Sequence, residues 1–297
     1  MTKSRAIARF LPLLIVPVFL ASVSQAQDAD PHPGTINYVE GSVAIDHQAV
    51  TQQAIGQAAL DPGQVLTTEH GRAEVLLTPG IFFRVDDNSA VTMVSPDLTK
   101  TVVELNQGRA LVEVDQIYKQ NDVQVVVNGK RTQLLKVGLY EFNAAKGNVE
   151  VFDGKAAVQE QGDKWQTVKG SHELALSDGT NLKPQDFNAN VGKDDLYNWS
   201  SLRSNYLAQA GGGMAGSYDN PGWYWDPYAY GYAFFGPYPY WSPFGFYGGF
   251  YGRGYYGRGF YGRGSYGRGF YGGAGAYGGG HAFAGGGFHG GGGGGRR

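Results

Sequence analysis

The stretch Arg72–Val94, RAEVLLTPGIFFRVDDNSAVTMV, decides the fold class. It holds three short apolar-rich runs, RAEVLL, IFFRV and AVTMV. Pro79-Gly80 separates the first two runs, and Asp86-Asp87-Asn88 separates the last two. Each run is too short for a stable helix, and each break is built from turn-forming residues. The stretch therefore reads as three successive strands.

The same texture continues outward. TINYVEGSVAI puts β-rich runs on both sides of Glu40-Gly41, and TVVEL, RALVEV, DVQVVV and HELAL follow later. Asn128-Gly129 lies between VQVVV and RTQLL, and Asp153-Gly154 between NVEVF and KAAVQ. Both dipeptides tolerate positive φ, so each predicts a two-residue hairpin. Roughly a dozen strands at this spacing predict an all-β fold over residues 27–180, a many-stranded β-sandwich or β-roll. One sandwich and a roll of two halves both fit the pattern.

Residues 181–210 read as a linker and an amphipathic helix. Leu196, Trp199, Leu202 and Tyr206 recur at helical spacing behind Asp194 or Asp195 as a cap. Gly211-Gly212-Gly213 is expected to stop the helix, whose apolar stripe would pack on the sheet.

Charge divides the chain at the same place. Residues 27–210 hold 15 Lys and Arg against 24 Asp and Glu, a net of −9. Residues 211–297 hold 6 Arg and 2 Asp, a net of +4, with 33 of the 48 glycines and 27 of the 41 aromatic residues. An acidic body does not attract nucleic acid, because phosphate neutralisation supplies most of that affinity. The chain has no cysteine, which excludes disulfides, thiolate metal sites and a cysteine nucleophile.

Residues 1–26 have the three parts of a secretory signal peptide. Lys3, Arg5 and Arg9 form the basic start, Phe10–Val23 the apolar run, and Ser24-Gln25-Ala26 a small-residue cleavage site before Gln27. The apolar run is shorter than the ~20 residues that span a bilayer. The expectation is an exported protein of the periplasm or cell surface with no transmembrane span in the mature chain.

The order of turns also carries a resemblance. Gly41, Pro62-Gly63, Leu66-Thr67-Thr68, Gly71-Arg72-Ala73, Gly80, Asn88-Ser89 and Leu105-Asn106-Gln107-Gly108-Arg109 follow one another before KVGLYEF and VEVFDGKAAV. Over roughly residues 34–180 this resembles the FecR-type domain of bacterial envelope proteins. The namesake of that family resembles a relay, in which a periplasmic β-domain senses ferric citrate transport and a cytoplasmic helical segment regulates a sigma factor through the membrane. The sigma-regulating segment has no counterpart in this chain. The resemblance thus implies a non-catalytic β-domain that contacts a protein, glycan or other envelope ligand.

No catalytic constellation is found, and no cofactor or metal is expected. The six histidines form no His-Glu-X-X-His arrangement. His70 and His172 read as turn residues, and Asp86-Asp87-Asn88 lacks the glycine and distal glutamate of an EF-hand loop. Gly252–Gly257 fits G-x-G-x-x-G only by coincidence inside a glycine repeat.

The remainder falls into an aromatic, proline-bearing segment, 211–250, and a Gly/Tyr/Arg-rich repeat, 251–297, expected to be disordered. The candidate tail contacts are Trp223, Trp225, Trp241, Arg253, Arg258, Arg263 and Arg268. Rings and guanidinium groups of this kind stack on one another and on ligands. The sequence therefore reads as a non-enzymatic envelope protein with a FecR-like interaction domain, possible sensing, and a tail for self-association or anionic surface polymers. A structural or adhesive matrix protein is the alternative. An RNA-binding protein follows only if residues 1–26 are not a signal.

Overall fold

The computed structural model describes residues 30–248 apart from 162, 177–181, 191, 215–220, 237–239 and 246. These residues lie in one compact unit. Side chains of 211–214, Tyr240, Trp241, Tyr247 and Gly248 are also outside it.

The strands are β1 (Ile36–Ile45), β2 (Gln48–Ala49), β3 (Val65–Leu76), β4 (Ile81–Val85), β5 (Ala90–Asp97), β6 (Lys100–Gln107), β7 (Arg109–Val114) and β8 (Asp122–Val127). They continue with β9 (Lys130–Leu134), β10 (Gly138–Asn143), β11 (Asn148–Asp153), β12 (Lys155–Gln159), β13 (Trp165–Lys169), β14 (His172–Ala175) and β15 (Gln185–Asp186). Helix α1 (Asp195–Met214) follows, then β16 (Gly222–Asp226), β17 (Gly231–Phe235), β18 (Tyr240–Trp241) and β19 (Tyr247–Gly248).

Strands β1–β15 form one sheet, antiparallel except for the parallel pair β6–β8. The sheet bends back on itself into two layers over one core. β3 belongs to both layers: Val65–Thr67 pair with β5, and Ala73–Leu76 pair with β4. β1 follows β3 around this bend, with a bulge between Gly41 and Val43. At the bend the two chains pass so closely that a Cβ on Gly71 would lie 2.6 Å from Ser42 N. Glu40-Gly41 therefore kinks one long strand and does not separate two.

The inner faces alternate strictly with the outer ones. Ile81, Phe83 and Val85 of β4, Val112 of β7, Val103 of β6 and Val125 of β8 all enter the shared core. Val168 of β13 and Leu174 of β14 enter the same core, but the sheet ends at β13 and β15 without closing into a barrel.

Asn128-Gly129 turns β8 into β9 as expected, with φ of 50° and 74°. Asp153-Gly154 does not make a hairpin. β11 pairs with β10 and β14, whereas β12 pairs with β9 and β13. The dipeptide carries the chain from one layer to the other, with Gly154 at φ +100° against the Tyr140 hydroxyl.

Candidate functional site

The outer face of β3, β4 and β7 is covered by α1 and by the β16–β17 hairpin. Leu76 and Phe82 meet Leu207, Ala208, Trp223 and Phe234 there, and Leu111 and Leu139 meet Leu196 and Trp199. The polar residues between these apolar patches form a buried network. Arg84 donates to Glu74 at 2.7 Å and to Glu113 at 2.6 Å, and all three side chains are fully buried. Arg203 reaches Glu74 from the helix at 3.0 Å and donates to the Ala229 carbonyl at 3.0 Å. Ser204 and Ser242 both donate to Glu113. Asn37 donates to Glu74 and to the Tyr232 carbonyl, and its side-chain oxygen accepts from Tyr232 N. Burial alone would raise the Glu74 carboxyl, but Arg203 and Arg84 outweigh it and hold the group at about 2.

A second ion cluster fixes the start of the helix. Asp86 accepts from Arg72 at 2.9 Å and from Arg109 at 2.5 Å. Arg109 also donates to Asp194, whose other oxygen caps the helix by accepting from Tyr197 N. Glu141 lies 3.4 Å from Arg109, and burial pushes its carboxyl up to about 8.

Helix α1 presents a face that the apolar spacing did not indicate. Leu196, Trp199, Ser200, Arg203, Ser204, Leu207 and Ala208 are buried, whereas Leu202 is 51 % exposed and Tyr206 49 %. The stripe is turned because Arg203 and Ser204 satisfy buried carboxylates, which outweighs hiding two more apolar side chains. The helix also runs through Gly211-Gly212-Gly213 to Met214. Glycine costs about 1 kcal/mol per helical position, so it disfavours a helix without forbidding one.

Above this face an open cleft of about 330 Å³ lies between α1, β1 and the turn joining β16 to β17. Tyr38, Trp199, Tyr206, Tyr228 and Tyr230 supply rings, and Glu40 and Arg203 supply charges. Tyr228 is 89 % exposed and Tyr230 68 %. Tyr230 has φ of 48°, which bulky residues rarely adopt. Trp199 Nε1 donates to Glu40 at 2.9 Å, and the Arg203 guanidinium lies 4.0 Å from the Tyr38 ring centre.

Trp223, nominated from sequence, packs edge-on against Phe82 and Phe234 beneath the hairpin. Trp225 is partly exposed and packs edge-on against Tyr232. Trp241 pairs through its backbone with Tyr247. Arg253, Arg258, Arg263 and Arg268 lie outside the described residues. The sequence reading missed the cleft itself; its one available signal was the aromatic density of GWYWDPYAY, residues 222–230. Asp86 is engaged by two arginines, and His172 contacts the Gly170 carbonyl at 2.9 Å and Asp186 at 3.3 Å. Among the described residues no three His, Asp or Glu side chains group as metal ligands, and no helix is long and apolar enough to cross a membrane.

No family model and no curated protein matches the chain. Two crystal structures, at 2.50 and 1.65 Å resolution, match part of it; both are of a "putative anti-sigma factor" from Parabacteroides distasonis. Each match has 14 % identity and a TM-score of 0.34, over 46 % of this chain and 62 % of that chain. The chain thus matches less than two thirds of that protein's length.

Proposed function

We propose that this chain is a non-enzymatic binding protein of the bacterial cell envelope. Residues 1–26 direct its export, and residues 27–180 act as a FecR-like interaction domain completed by the helix and aromatic hairpin behind it. The tail, residues 251–297, contributes self-association or surface attachment. The observation that carries the binding reading is the cleft, where Tyr206, Tyr228 and Tyr230 stay open to solvent above a covered, ion-paired seam. Exposed aromatic clusters of this kind mark interaction sites more often than they serve stability. The order of glycine and asparagine turns supports the FecR-like part, and the basic-apolar-small pattern of residues 1–26 supports export.

Cell fractionation with mass spectrometry of the N-terminal peptide tests the location. A peptide beginning at Gln27 in the envelope fraction is the expected result. An intact Met1 peptide from the cytosol would overturn it and return the Tyr/Arg/Gly repeat to nucleic-acid binding. Hydrogen exchange tests the binding. Envelope extract should slow exchange around Tyr38, Trp199 and Tyr230, and no slowing with any extract would sink the reading.

A further inference from the structure

The ion pairs behind the cleft do not engage the carboxylate that lines it. Arg84 and Arg203 balance Glu74 and Glu113. Arg72 and Arg109 balance Asp86 and Asp194, and the neighbouring Glu141 keeps its proton up to about pH 8. Glu40 is the one carboxylate that lines the cleft, and it takes no part in these pairs. It is exposed, accepts the neutral Trp199 indole N–H, and forms no ion pair among the described residues. Arg72 stands opposite it across the ladder, but its Nε is directed to Asp86.

The walls of the cleft already hold guanidinium groups against rings. Arg203 lies over Tyr38 at 4.0 Å, and Arg72 over Trp199 at 5.9 Å. Tyr206, Tyr228 and Tyr230 surround the same opening and have no cation over them among the described residues. One unmatched carboxylate beside open tyrosine faces is the chemistry of a cation site. Arginine suits it better than lysine, because a planar guanidinium can stack on a ring while forking onto a carboxylate.

We infer that the cleft takes an arginine side chain from the Tyr-Gly-Arg-Gly repeat of a second copy of this chain. The inference rests on the self-association named above and gives it a site. Residues 251–297 carry six arginines and no acidic residue, opposite in sign to a body of −9. Arg253, Arg258, Arg263 and Arg268 each have glycine on both sides, so no neighbouring side chain obstructs entry. Four equivalent units on one tail also multiply the chances of occupancy.

Sedimentation velocity of the full chain at several concentrations and salt levels tests this. The wild type should associate, and less so as salt rises. Glu40→Gln keeps an oxygen for the Trp199 indole and should weaken association about fivefold or more. Tyr228→Ala, at an exposed side chain, should act in the same direction and decides the matter if Glu40→Gln lowers the melting temperature. Replacing Arg253, Arg258, Arg263 and Arg268 together by glutamine should weaken association at least as much. Adding Glu40→Gln to that variant should weaken it no further. A wild type that stays monomeric overturns the proposal. So do cleft variants that associate normally while the arginine variant does not, because tail-to-tail contact would then be responsible. Failure of the envelope reading would appear separately, in the fractionation.

Discussion

Arg203 on α1 donates to Glu74 on β3 at 3.0 Å, across 129 residues of chain, with both side chains buried. The contact ties the helix to the sheet through charge as well as apolar packing. Removing one partner of a buried pair strands the other charge, which costs about 3–5 kcal/mol. Arg203→Met should therefore lower stability by about 3 kcal/mol in urea unfolding. Glu74→Gln should fall in the same range, since it also deprives Arg84. The combined variant should lose less than the sum, because the two changes break one network. Full additivity would show that the pair does not join helix to sheet.

Glu141 and Glu74 pull stability in opposite directions with pH. The Glu141 carboxyl is raised from 4.5 to about 8, so the folded state holds a proton that the unfolded chain releases. Its effect on stability is neutral below pH 4.5, becomes unfavourable as pH rises from 4.5 to 8, and is constant above that. The Glu74 carboxyl is lowered to about 2, so its contribution is present above pH 4.5 and lost as pH falls toward 2. Arg109, Asp194, Glu150 and Lys146 set the field at Glu141. Glu141→Gln mimics the protonated acid and should leave stability unchanged near pH 4.5. At pH 8.5 it should stabilise by an amount on the order of 1 kcal/mol or more. Parallel melting curves for both proteins across this range would refute the shift.

The strands were legible because each obeys a local rule. IFFRV and RALVEV alternate inner and outer residues within five or six positions, bounded by turn residues. The same rule could not tell that Arg84 and Glu113 occupy outer positions that are buried, because the cover comes from residues far along the chain. The helix was legible, but its orientation was not. Apolar spacing favoured Leu202 and Tyr206, whereas the carboxylates of Glu74 and Glu113 select Arg203 and Ser204. The cleft was illegible for a related reason. Tyr38 and Glu40 lie near the start of the body, and Tyr228 and Tyr230 in a turn nearly two hundred residues later.

Asp153-Gly154 and Asn128-Gly129 look alike in sequence and do different things, which two alanine substitutions can separate. At Gly129, φ is +74° and an added Cβ meets nothing within 4 Å, so Gly129→Ala bears only backbone strain. That strain is about 1 kcal/mol. At Gly154, φ is +100°, and an added Cβ would overlap the Tyr140 hydroxyl and lie 2.8 Å from the Val137 carbonyl oxygen. The hydroxyl cannot easily withdraw, since it donates to the Lys136 carbonyl at 2.6 Å and accepts from Lys155 N at 3.0 Å. Gly154→Ala should therefore cost about 3 kcal/mol, combining backbone strain with overpacking. Thermal melts of the two variants under one buffer check this. Equal losses would mean that the Tyr140 hydroxyl yields to the added methyl group and that Gly154 is held by its backbone conformation alone.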